Sequence, residues 1–173
     1  PAPAYTNNDL FAVLTRLASD PDGDPIDYTY TWTVDGDPYA TGSSTSVPAA
    51  DTVKGQEWCV TVVASDGVET SGSDTDCLIV QNTPPSIESV AIDPGTPTAT
   101  DALTCSYEGF FDLDGDPDSS RFAWTVNGAP VGTGSALAGG FSGGDVVTCT
   151  VTPNDGESDG EPKSATVVIA NDA

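Results

Sequence analysis

Tyr28-Thr29-Tyr30-Thr31-Trp32-Thr33-Val34-Asp35-Gly36 alternates aromatic or aliphatic side chains with threonine, and Phe122-Ala123-Trp124-Thr125-Val126-Asn127-Gly128 repeats the pattern. Strand side chains point alternately to two faces, so each run presents one apolar and one polar face. Further along the chain, Ser65-Asp66-Gly67 matches Asn154-Asp155-Gly156, and Asn82-Thr83-Pro84 matches Asn171-Asp172-Ala173, at a constant spacing of 89 residues. The chain therefore reads as two homologous modules, residues 1–83 and 84–173.

Each module is a series of short β-rich runs separated by Gly, Pro, Asp and Ser, with no helical period. That pattern predicts an all-β protein of two tandem immunoglobulin-like β-sandwich modules arranged head-to-tail. In the first module the inward set is Leu10, Ala12 and Leu14, then Tyr28, Tyr30, Trp32 and Val34, then Trp58, Val60 and Val62, then Leu78 and Val80. In the second it is Leu103, Cys105 and Tyr107, then Phe122, Trp124 and Val126, then Val147, Cys149 and Val151, then Val167 and Ile169. Thr104, Ser106, Thr125, Thr148, Thr150 and Thr152 fall on the solvated face.

Alternation aims Cys105 and Cys149 at each other across the two sheets, beside Trp124. Cys59 lies on the outward register of its strand. Its expected partner is Cys77, because the midpoint of the two falls at the tip of the hairpin that begins with Asp66-Gly67. Ser86 to Ile92 reads as a first strand of the second module. The first module begins at a position matching the far side of that strand and lacks a counterpart, so the missing strand is expected either upstream in a longer array or donated by a neighbour.

Twenty-seven acids stand against four bases, giving a net charge of −23, and there is no His. Such a charge repels nucleic acid and anionic membrane, and it strains a compact fold unless cations neutralise it. No segment approaches the roughly 18 apolar residues of a membrane span, so membrane insertion is not expected. Four Cys suit an oxidising compartment. The absence of His rules out a Ser-His-Asp triad and His metal sites, and the carboxylates lie on short repeated turns with nothing to separate their pKa values, so no enzyme is expected.

The acids concentrate in Asp20-Pro21-Asp22-Gly23-Asp24-Pro25 and Asp112-Leu113-Asp114-Gly115-Asp116-Pro117-Asp118. Alternate carboxylates on a tight turn converge oxygens on one point, which suits calcium. Neither loop is a complete EF-hand, since Thr31 and Ala123 stand at the twelfth positions. In a sandwich of this kind these turns share a pole with the next hairpin loop. The expected metal sets are therefore Asp20, Asp22, Asp24 and Asp66 in the first module, and Asp112, Asp114, Asp116 and Asp155 in the second. The second set is expected near the Asn82-Thr83 linker, where calcium of weak extracellular-type affinity would stiffen the joint.

The Asp-Pro-Asp-Gly-Asp-Pro loop, the Trp-Thr-Val-(Asp/Asn)-Gly strand, the Ala-Ser-Asp-Gly turn and the Asn-Thr-Pro-Pro junction together resemble the tandem Ig-like, PKD-like and cadherin-like repeats of large secreted or surface proteins of bacteria. The resemblance implies an extracellular structural or adhesive role, often with calcium at module boundaries. The expectation is a segment of a bacterial extracellular filament or surface adhesin. Its partners would be copies of itself or neighbouring repeats, joined head-to-tail or by a donated strand. A carbohydrate-binding or cell-adhesion module recognising cell-surface glycans is the alternative. Trp32, Trp58 and Trp124 fall on inward registers, however, leaving Tyr5, Tyr39 and Phe141 as the more exposed aromatics.

Overall fold

The computed structural model describes residues 3–171, which divide into two compact units, one up to Thr83 and one from Pro84 onward. The first unit contains β1 (Ala4–Tyr5), β2 (Leu10–Phe11), β3 (Asp27–Val34), β4 (Asp37–Gly42), β5 (Ser46–Val47), β6 (Glu57–Ser65) and β7 (Asp74–Gln81). One sheet has the order β1-β7-β6-β3-β4, and β2 with β5 forms the second layer. The second unit contains β8 (Ser89–Asp93), β9 (Leu103–Glu108), β10 (Arg121–Val126), β11 (Ala129–Gly132), β12 (Ala136–Leu137), β13 (Val146–Thr152) and β14 (Lys163–Val168). Here β11-β10-β13-β14 faces β12-β9-β8. Both are immunoglobulin-like sandwiches.

The alternating runs become the central strands. β3 lies antiparallel to β6 with Trp32 opposite Val60, and β10 to β13 with Trp124 opposite Cys149. Each run closes a hairpin, β3 to β4 and β10 to β11. At the tips Asp35 and Asn127 take φ of 51°, followed by Gly36 and Gly128 at 85° and 82°. Two consecutive left-handed residues give a turn whose twist matches that of the strands, and Asp-Gly and Asn-Gly tolerate it. A Trp buried between sheets needs a partner for its N–H. Trp124 Nε1 donates to the Gly134 carbonyl at 2.8 Å, and Trp32 Nε1 to the Ser44 carbonyl at 3.0 Å.

The predicted inward residues all lie in, or pack against, the two cores. The cores also use Ala4 and Val47 in the first unit, and Ile87, Ile92, Leu137 and Phe141 in the second. Phe141 thus departs from its reading as an exposed aromatic. Its N–H donates to the Ala99 carbonyl at 3.1 Å, drawing its loop onto the end of the sandwich. On the outer face Thr148 meets Thr166, Thr150 meets Ser164, and Thr61 meets Thr75, each pair sharing a hydroxyl hydrogen bond of 2.7 to 2.9 Å.

The disulfides are Cys59–Cys77, which joins β6 to β7 on the outer face, and Cys105–Cys149, which joins the two sheets of the second unit. The expected first strand of the second unit appears as β8, preceded by a separate bridge between Ser86 and Phe111. In the first unit the run through Ala12 and Leu14 keeps its inward register but counts as strand only at Leu10–Phe11. Beyond Phe11 it has no strand to pair with among the described residues.

Chain-entropy stabilisation grows with loop length. Replacing both Cys105 and Cys149 by Ala, which opens a separation of 44 residues, should cost about 4 kcal/mol. Replacing Cys59 and Cys77, separated by 18, should cost about 3 kcal/mol. Urea denaturation of the two double variants measures both, and each loss should fall on its own unit.

Candidate metal centre

In the second unit the carboxylates of Asp112, Asp116 and Asp155 bring one oxygen each to within 4.8 Å of one another. It is the one such acidic group found among the described residues. Asp112 and Asp116 belong to the loop between β9 and β10, and Asp155 to the loop between β13 and β14.

Three local arrangements build the site. Asp112 Oδ1 accepts the Asp116 N–H at 2.8 Å, which curls the loop back on itself around Gly115 at φ 80°. Asp155, only 3% exposed, closes its own turn, with Oδ1 accepting the N–H of Glu157 at 2.7 Å and of Ser158 at 2.6 Å. Its Oδ2 accepts the Ser158 hydroxyl at 3.0 Å. The two loops are then tied together, because the Ser119 N–H donates to the Asn154 carbonyl at 2.8 Å.

The start of the unit pins the first loop from the other side. Ser86 and Phe111 exchange two backbone hydrogen bonds of 2.9 Å, and the Glu88 N–H donates to the Glu108 carbonyl at 2.8 Å. Asp112 follows directly. Its Oδ2 is buried and has no hydrogen-bond partner. Burying a carboxylate oxygen without a donor is costly, and a cation beside it offsets that cost.

Donor chemistry and spacing both fit calcium. Oxygens bound to one ion at 2.3–2.6 Å lie at most about 5.2 Å apart, and calcium accepts carboxylates from separate loops. The residues able to hold it are Asp112, Asp116 and Asp155. Asp114 shares their loop but lies outside the group.

The four acids of the first unit are not brought together in this way. Asp20 Oδ1 accepts the N–H of Asp22 at 2.7 Å and of Asp24 at 3.2 Å, so the loop curls similarly. Asp66 Oδ1 accepts from Val68 at 2.7 Å and from Glu69 at 2.6 Å, as Asp155 does in its own turn. The difference lies in the support: no described strand pairs beside Ser19 and Asp20 as Ser86 pairs beside Asp112.

The sequence reading left out the groups that hold the site in place. Asp118 accepts from the Tyr107 hydroxyl at 2.8 Å and from the Ser120 hydroxyl at 2.6 Å. Asp159 accepts from Arg121 at 2.6 and 2.7 Å and from the Asn154 amide at 2.7 Å. Their signal was faint, since an acid tying two loops has no periodic position. Asp118 ends the quoted acidic stretch and was the more accessible of the two.

The fold resembles that of the segment of two fibronectin type-III domains from chicken tenascin, with a TM-score of 0.52 at 17% identity over 97% of this chain and 95% of that one. The three N-terminal domains of the outer capsid protein Hoc of bacteriophage RB49 match at a TM-score of 0.39 and 19% identity, over 98% of this chain and 56% of that one. The fibronectin(III)-like modules of CbhA from Clostridium thermocellum match at 0.35 and 13%, over 99% and 92%. Identities this low speak to fold alone, and the tenascin likeness carries it: tandem domains of an immunoglobulin-like fold. No protein-family model matches the sequence, and no curated protein matches it.

Hydrogen bonding lowers several carboxyl pKa values. The Glu69 and Val68 amides hold Asp66 below the ordinary value, and the Asn154 amide and Arg121 do the same for Asp159. For Asp118 burial alone would raise the pKa, but the Ser120 and Tyr107 hydrogen bonds leave it lowered. A depressed folded pKa contributes stability that is present above the unfolded value of about 3.9 and is lost as pH falls through the folded value. The urea midpoint should therefore drop below about pH 4. In Asp159→Asn the second unit should start less stable at pH 6 and lose less between pH 6 and pH 3, as urea melts at the two pH values will show.

Proposed function

We propose that this chain is a structural segment of a bacterial extracellular filament or surface adhesin, built of calcium-stiffened immunoglobulin-like units and assembling through a donated β-strand. One observation carries the reading: three carboxylates, one with a buried oxygen lacking a hydrogen-bond partner, meet beside the segment that leads into the second unit. Calcium held by Asp112, Asp116 and Asp155 would lock the two loops to each other. Through Ser86 and Phe111 it would also brace the start of that unit, giving a stiff segment where calcium is abundant.

The supporting features are general. Two disulfides suit an oxidising compartment outside the cytosol, and no helix among the described residues is long and apolar enough to cross a membrane. Neutralising part of a net charge of −23 favours the compact state in a calcium-rich medium. A glycan-binding role draws less support. Trp32, Trp58 and Trp124 are buried, and Tyr39 is engaged edge-on with Trp58 and hydrogen-bonded to Asp51.

Melting the protein with calcium and with a chelator tests the proposal. At about 10 mM calcium and a dissociation constant near 10⁻⁴ M, linkage gives about 2.7 kcal/mol, or roughly 10–20 °C in the transition of the second unit. Asp112→Asn should abolish the shift while leaving melting in chelator within a few degrees of the parent. Equal melting of the parent in calcium and in chelator would remove calcium from the account.

A further inference from the structure

The second unit shows what its counterpart lacks. There β8 lies along β9 with Ile92 opposite Cys105 and Val90 opposite Tyr107, and Lys163 Nζ donates to the Glu88 carbonyl at 2.8 Å. The matching stretch of the first unit runs from Leu10 to Thr15. Leu10 pairs with Val47 as Leu103 pairs with Leu137, and the Ala12 N–H donates to Thr45 as that of Cys105 donates to Ser135. Peptide groups along an extended strand point alternately to its two sides. Phe11 and Val13 therefore turn theirs to the side that β8 occupies in the second unit, and the chain bends away at Thr15.

Among the described residues no strand lies there. The space is a cleft of about 660 Å³, lined on one side by Ala12, Leu14 and Arg16 and on the other by Val60, Val62, Asp74 and Asp76. An unpaired edge beside an apolar cleft is a template for strand addition. The outer face of this stretch points the same way. Phe11 is 66% and Val13 78% exposed, where the second unit places Thr104 and Ser106.

We infer that this cleft accepts a β-strand from outside residues 1–173. The strand pairs antiparallel with Phe11–Leu14, sets aliphatic side chains opposite Ala12 and Leu14, and brings a Lys or Arg to Asp74 and Asp76. The chain's own β8 supplies the form of the occupant, since it fills the same place on the same framework. The size of its inward residues follows from the floor: Ala12 and Val60 stand where the second unit has Cys105 and Cys149, leaving room for larger aliphatics. Its charge follows from two exchanges, Lys163 and Ala165 in the second unit against Asp74 and Asp76 in the first. A strand whose carbonyl met an ammonium in the second unit would here meet two carboxylates, against which the cleft lining sets only Arg16, so the incoming strand is matched by a further cation. A second copy of these residues suits the cleft poorly, because it carries only four bases and a net charge of −23.

This inference rests on the structural-segment reading, and hydrogen exchange on the whole 173-residue protein separates the two. The probe is a synthetic peptide of residues 86–93 carrying Glu88→Lys. It should bind saturably and slow exchange of the Phe11 and Val13 amides at least tenfold, leaving residues 84–173 unchanged. The same peptide with Val90→Ser and Ile92→Ser should bind at least tenfold more weakly. No slowing at those amides, or equal slowing by both peptides, would overturn the assignment. So would protection of the same amides by self-association without peptide, which would seat a second copy in the cleft. Any of these failures leaves the calcium response intact, whereas loss of the calcium response leaves peptide binding intact.

Discussion

The indole of Trp124 sits between the sheets of the second unit, fully buried, with its one donor satisfied by the Gly134 carbonyl and with the Cys105–Cys149 bridge beside it. Trp32 occupies the matching place in the first unit, bonded to Ser44, with Ala12 and Val60 where the bridge would be. A large side chain with a single polar atom fixes both the spacing of the sheets and the course of the strand that accepts its proton. Loops at the poles can then vary, because the core does not depend on them. The second unit uses that freedom to gather carboxylates, and the first leaves an open cleft beside its core.

A charge of −23 on 173 residues demands an account of where the acids go. Many are used locally as turn anchors, where a carboxylate accepting backbone N–H groups takes the place of water. Asp20, Asp66, Asp112, Asp145 and Asp155 all do this, each within four residues of its own position. Such anchoring fixes the loops without a hydrophobic core beneath them. It also concentrates negative charge at the poles of the sandwich, and burial of Asp155 makes the second unit the place where a cation gains most.

The fold was legible because its two central strands carry an uninterrupted period of two, and because the same landmarks recur. The register that buried Trp124 also aimed Cys105 at Cys149 and turned Cys59 outward to Cys77. Short edge strands were harder to see. Val47 is wholly buried, yet it sits in a two-residue strand among Ser and Thr with no period to betray it. Ile87 and Ile92 are both inward although five residues apart, because the bridge at Ser86 and the strand from Ser89 are offset. The acidic site was legible as composition and not as geometry. Eight aspartates fitted the pattern, and burial together with a neighbouring strand decided which three converged, a tertiary property that local spacing does not carry.

The most direct test of the account is a calcium titration of the isotopically labelled protein followed by the backbone amide resonances of its non-proline residues. The account predicts saturable shifts concentrated in residues 111–118 and 154–158, with one equivalent of calcium bound by the second unit. Small shifts spread in proportion over all the acidic loops, without saturation, would mean that the carboxylates form only a diffuse negative surface, and would contradict a built metal centre.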